Sequence, residues 1–90
     1  MERFTIELTV SNSCGVLNRI TGVYAKGKQN IDALTVQESP DPELSVVQIV
    51  SRGDEALQWR MVRQLGKLFD VKTALLLNDT KLSDIKENEK

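Results

Sequence analysis

The sequence predicts an α+β domain in which two strand–helix–strand units build one four-stranded antiparallel sheet with both helices on the same face. Three observations carry this. The first strand-like segment alternates strictly between apolar and polar residues, two longer segments repeat apolar residues every three or four positions, and the chain's two prolines fall together between two β-rich runs. The order that results is strand, helix, strand, strand, helix, strand.

The first strand is expected from Arg3 to Val10, with Phe4, Ile6, Leu8 and Val10 on one face and Thr5, Glu7 and Thr9 on the other, so one face meets a core. The first helix is expected from Val16 to Lys26. Its apolar stripe at positions 16, 20, 23, 24 and 27 includes Tyr24, which is assigned to the core. Lys26-Gly27-Lys28 supplies the basic residues and the left-handed glycine cap that a helix end favours. Ile31 to Ser39 reads as the second strand. Pro40-Asp41-Pro42-Glu43 must then turn, because proline has no N–H to give a ladder, and Leu44 to Ser51 resumes as the third strand. After the break at Arg52-Gly53, Asp54-Glu55 is the acidic start of a second helix. Its stripe is Leu57, Met61, Leu65 and Leu68, widened by Val62, Phe69 and a partly exposed Trp59 with a structural or interface role. Val71 to Leu77 is the fourth strand. The domain is expected over residues 1–78, followed by a charged tail over 79–90 whose composition predicts disorder. This is the split βαβ, ferredoxin-like arrangement, which hosts many unrelated functions.

Ninety residues, 40% hydrophobic and 28% charged, make one small globular domain. A domain of this size buries only about two thirds of its unfolded surface, so oligomerisation is the expected remedy. With 12 basic and 13 acidic residues and no basic stripe, a nucleic-acid partner is disfavoured. The four aromatic residues also fall mostly on helices rather than on inner strands, which argues against base stacking. A single cysteine and no long apolar run point to the cytoplasm, with no membrane span.

Several chemistries lack their residues. There is no histidine to act as base or metal ligand, so no metal site is expected, and Cys14 has no imidazole or second cysteine beside it. Cys14 reads instead as a small packed turn residue. No glycine-rich phosphate loop is present, and a small ferredoxin-like hydrolase of the acylphosphatase kind would need an arginine in a phosphate-binding loop. No catalytic residue is therefore assigned.

The stretch with binding potential is Asn12-Ser13-Cys14-Gly15-Val16-Leu17, where the apolar period changes from two to about 3.6 and a strand runs through a tight loop into a helix. The first N–H groups of a helix lack internal partners and carry the positive end of its dipole, so a carboxylate is held there by several donors. Gly15 has no Cβ to keep a ligand away, and Asn12 both donates and accepts, which suits a zwitterion. The same residues also serve as ordinary punctuation, with Asn12 and Ser13 capping the helix and Gly15 shaping the turn.

Three segments in order resemble a known family. They are Asn12-x-x-Gly15-Val16-Leu17 with Arg19, Gly22 and Tyr24; Asn30-Ile31-x-Ala33-Leu34-Thr35-Val36; and Gln64-Leu65-x-Lys67-Leu68-x-Asp70-Val71. Together they resemble the ACT domain, and within it the regulatory (small) subunit of acetolactate synthase (acetohydroxyacid synthase), in a short form with one ACT domain. The resemblance spans about Phe4 to Leu77. It implies a non-catalytic regulatory subunit of branched-chain amino acid biosynthesis. Such a subunit forms a homodimer or larger homo-oligomer and docks on a separate catalytic subunit that carries thiamine diphosphate, magnesium and FAD. No cofactor would bind to this chain itself. A branched-chain amino acid, typically valine, would bind at the interface between two copies, on Asn12, Ser13, Cys14, Gly15, Val16 and Leu17 of one and Asn30 and Ile31 of the other. A free-standing ACT amino-acid sensor acting on another enzyme is the alternative. Two departures from the family pattern fall in the site: Cys14 stands where proline or a small polar residue is usual, and Gly27-Lys28-Gln29-Asn30 replaces an Arg-Gly-aromatic-Asn run, shifting the glycine by one place.

Overall fold

The structure is a computed structural model and describes residues 2–77, so the expected domain end at 78 and the tail over 79–90 lie outside the described residues. The elements are β1 (Arg3–Ser11), α1 (Val16–Lys26), β2 (Ala33–Glu38), β3 (Leu44–Arg52), α2 (Glu55–Gly66) and β4 (Val71–Leu77). The strands lie in the order β2-β3-β1-β4 and every neighbouring pair is antiparallel. This is the expected ferredoxin-like sheet.

The alternation in β1 sets the core. Phe4, Ile6 and Leu8 are fully buried and Val10 nearly so, and the register places Ile6 opposite Ile49 and Leu8 opposite Val47. The helices close this face with Val16, Ile20 and Tyr24 from α1 and Met61 and Leu65 from α2. Asp54 caps α2, its carboxylate accepting from the Leu57 N–H at 2.9 Å. Just before it, Gly53 packs closely against Leu57, since a Cβ there would lie 2.1 Å from Leu57 Cδ2 and 3.1 Å from its Cγ and the leucine would have to shift.

Four details differ from the sequence reading. The second strand begins at Ala33 rather than Ile31, because ladder pairing with β3 starts at Ala33 opposite Val50; the Asp32 N–H already reaches the Val50 carbonyl at 2.7 Å while Ile31 packs on the core. Phe69 does not widen the helical stripe. The helix ends at Gly66, so its spacing no longer governs, and Phe69 projects from the following turn at 91% exposure. Cys14 is exposed rather than packed.

The fourth concerns the end of α1. Gly27 has an ordinary negative φ, and the left-handed residue is Lys28, at φ 57°. Its N–H donates to the Ala25 carbonyl and that of Gln29 to the Tyr24 carbonyl, which is the bonding of a Schellman cap with Lys28 in the position glycine prefers. Lys28 thus stands where the Arg-Gly-aromatic-Asn run, aligned on Asn30, would have its glycine.

Tyr24 is only 1% exposed, as expected of a core residue. Its hydroxyl and that of Ser51 both lack a hydrogen-bond partner within bonding geometry. Burial raises the Tyr24 pKa well above its ordinary 10.0, and the Ser51 hydroxyl nearby offsets only part of that.

Candidate functional site

The turn from β1 into α1 is built around Gly15, which occupies the N-cap position at φ 85° with no side chain capping the helix. Neither Asn12 nor Ser13 is therefore a cap. A left-handed φ disfavours any residue with a Cβ, so the glycine is demanded by the backbone as well as by access.

Two anchors hold the loop. On one side the Asn12 N–H donates to the Glu43 carbonyl at 2.8 Å and its side-chain amide to the Pro42 carbonyl at 3.4 Å, tying the loop to the β2–β3 turn. On the other, Ser13 Oγ donates to the Asp70 carboxylate at 3.3 Å. Arg19, one turn into α1, grips the same carboxylate through Nε at 2.7 Å and through its Nη2. The Asp70 backbone carbonyl in turn accepts from the Ser11 N–H at 2.8 Å and from Ser11 Oγ at 3.2 Å. The loop is thus fixed at both ends by hydrogen bonds that leave its centre open.

That centre presents donors. Among the described residues, the N–H groups of Cys14, Gly15, Leu17 and Asn18 have no hydrogen-bond acceptor, while those of Val16 and Arg19 bond back to Ser13 and Gly15. Four N–H groups at the positive end of a helix, beside a glycine and below the Arg19 guanidinium, suit a carboxylate. Arg19 Nη1 lies 3.4 Å from where a Cβ on Gly15 would be. The Asn12 amide oxygen remains available for an ammonium. Val16 is buried beneath the loop and Leu17 is 39% exposed beside it.

Asn30 and Ile31 are not brought to this loop within one chain. The loop meets the sheet at Leu44, the first residue of β3, whereas residues 30–32 meet it at Val50, near its end. Arg19 and Asp70 had no assigned role in the sequence reading, and the structure places both at the site. Their presence in the first and third matching segments was the available signal, since segments 51 residues apart share a motif more readily when their side chains meet. Among the described residues there is no group of histidine, cysteine, aspartate or glutamate able to hold a metal ion, and no helix long and apolar enough to cross a membrane.

Residues 6–73 match the family model described as the AHAS small subunit-like ACT domain. The chain belongs to this ACT-domain family. It is 36% identical over 66 residues to a probable acetolactate synthase small subunit of Methanothermobacter thermautotrophicus, covering 73% of this chain and 39% of that one. It is likewise 36% identical over 69 residues to the small subunit of acetolactate synthase isozyme 3 of Escherichia coli, covering 77% and 42%. The crystal structure of an acetolactate synthase small subunit from Thermotoga maritima superimposes with a TM-score of 0.79 at 28% identity, over 84% of this chain and 47% of that one. The ACT domain described here therefore spans about two fifths of the length of the curated relatives it matches.

Proposed function

We propose that this ACT domain is a non-catalytic regulatory subunit of acetolactate synthase in branched-chain amino acid biosynthesis, which activates a separate catalytic chain and binds valine for feedback inhibition. The observation that carries the ligand reading is the open Asn12–Leu17 loop, with its left-handed Gly15 and its four N–H groups lacking an acceptor among the described residues. The valine carboxylate sits on these N–H groups and its ammonium on the Asn12 amide oxygen, with Ser13, Cys14 and Leu17 forming the rest of the loop's surface and Val16 lying beneath it.

The second half of the site comes from a second copy. β2 is an edge strand with every residue except Leu34 exposed, which leaves its outer backbone groups open to another strand. If two β2 edges pair antiparallel about a two-fold axis, the start of one copy's β2 lies beside the end of the other's. Asn30 and Ile31 of one copy then face the Asn12–Leu17 loop of its neighbour, which is how residues at opposite ends of one chain form one site. A ligand held by both copies favours one arrangement of the pair, and a difference of about 1–3 kcal/mol between arrangements suffices for regulation. The thiamine diphosphate, magnesium and FAD of the reaction belong to the catalytic chain.

The test is titration calorimetry with valine, leucine and isoleucine on the wild type, Gly15→Asn and Gly15→Asp. Asparagine tolerates the left-handed region and is neutral, so it measures the effect of added bulk. Gly15→Asp has the same shape but puts a carboxylate beside Arg19, where the ligand's own would sit. Saturable valine binding that is weakened by Gly15→Asn and abolished by Gly15→Asp is expected. Absence of binding to the wild type at millimolar ligand refutes the effector role.

A further inference from the structure

The outer face of the two helices carries a basic groove that the effector site does not use. A hollow of about 510 Å³ lies between α1 and α2, with Val23, Met61 and Leu68 in its floor and Lys26, Arg60 and Lys67 on its rim. Arg60 also borders a second hollow with Arg63. None of these four cations makes an ion pair with a described residue. The only carboxylate within α1 and α2 is Glu55, in the first turn of α2, and Asp70 nearby is engaged by Arg19.

This arrangement works against the stability of the isolated domain. An exposed helix gains from carboxylates placed three or four residues from its cations, whereas like charges gathered around one hollow repel. The chain does not lack acids, since its formal net charge is −1. Among the described residues several lie away from the groove: Glu38, Asp41 and Glu43 at and beyond the end of β2, and Glu7 on the open sheet face, where it accepts from Gln48, while Asp54 borders the second hollow and caps α2. The groove between the helices is thus ringed by three cations and no carboxylate among the described residues, over an apolar floor.

We infer that the groove between α1 and α2 is the surface that docks an acidic segment of the acetolactate synthase catalytic chain, two or more carboxylates pairing with Lys26, Arg60 and Lys67 while an aliphatic side chain between them enters the floor. This rests on the reading of the domain as a small subunit. Charge pairs of this kind speed and orient encounter, and they gain strength where the partner excludes water. The effector loop remains free, so ligand and catalytic chain can be bound at once.

The experiment measures affinity for a purified acetolactate synthase catalytic subunit. It compares the wild-type chain, the neutral variant Arg60→Gln/Lys67→Gln, the reversed variant Arg60→Glu/Lys67→Glu, and a control with a charge reversed on the open sheet face, Glu7→Lys. Valine titration and sedimentation of each variant alone report folding and self-association. The neutral variant is expected to weaken binding about tenfold and the reversed one about a hundredfold, with valine binding and sedimentation unchanged and the control binding like wild type. Raising salt from 50 to 300 mM weakens the wild type more than the neutral variant. A reversed variant that binds the catalytic chain as tightly as wild type overturns the docking surface and leaves the regulatory reading standing. A wild type that does not bind the catalytic chain overturns both. A reversed variant that sediments as a smaller species than wild type shows instead that the groove joins copies of this chain.

Discussion

Asp70 is the residue whose removal should do most to the loop, and the cost can be worked from its surroundings. Its side chain is only 10% exposed, and it accepts from Ser13 Oγ and from two nitrogens of Arg19, whose own side chain is 48% exposed. A fully exposed ion pair contributes about 0–1 kcal/mol, and breaking a fully buried one costs about 3–5 kcal/mol. With one partner buried and the other half in water, the Arg19–Asp70 coupling should fall between, at about 1–2 kcal/mol. The measurement is a double-mutant cycle with Arg19→Met, Asp70→Asn and the pair, read from urea unfolding at fixed protein concentration so that association does not enter the comparison. Arg19→Met should cost more than Asp70→Asn, because it strands a nearly buried carboxylate, whereas the asparagine amide oxygen still accepts from Arg19 while its NH2 donates to Ser13 Oγ. The coupling should survive 1 M salt, since Asp70 is shielded from the ions that screen surface pairs. A coupling below about 0.5 kcal/mol, or one that disappears in salt, would mean that the pair is an ordinary surface contact and that the loop is held by the Asn12, Ser11 and Ser13 bonds without it.

Three further predictions concern the scaffold. Lys28→Gly should stabilise the domain by about 0.5–1 kcal/mol, because relief of the left-handed strain at φ 57° outweighs the added freedom of glycine in the unfolded chain; thermal melts showing no gain would refute this. Tyr24→Phe removes a buried hydroxyl without a partner and should change stability by less than about 1 kcal/mol near neutral pH. Because the folded-state pKa of Tyr24 is raised above 10.0, its contribution is fully present below pH 10 and declines above it, by up to about 1.4 kcal/mol per pH unit. The wild type should therefore lose stability faster than Tyr24→Phe between pH 10 and 11, which parallel urea titrations would show. Gly53→Ala should cost about 1–3 kcal/mol, since its methyl meets Leu57 Cδ2 at 2.1 Å, and the cost should be less than additive when combined with Leu57→Ala.

Much of the architecture was legible because it depends on local rules. Strict alternation from Phe4 to Val10 marks a half-buried strand, four- and three-residue spacing from Leu57 to Leu68 marks a helix, and Pro40 and Pro42 forbid a ladder between two β-rich runs. These signals ended where the local rule did. Phe69 fits the helical period but lies beyond Gly66, where the helix has stopped, and the left-handed cap was placed on Gly27 because glycine prefers it, whereas Lys28 adopts it. In both cases the composition was right and the position was set by where the helix terminates against the rest of the fold.

The candidate site divides in the same way. By itself the sequence determined that a loop with a glycine would deliver backbone donors at the start of α1, since a change of apolar period and a residue without a Cβ are both local properties. Only the tertiary structure decided that neither Asn12 nor Ser13 caps that helix and that the loop is held from outside, by the Asp70 carboxylate and the Glu43 carbonyl. It also decided that Asn30 and Ile31 lie at the far end of the domain from the loop, so that one chain by itself does not bring them together. The physical reason is that hydrogen bonds between residues tens of positions apart depend on how the strands are ordered in the sheet, and no local period of the sequence encodes that order.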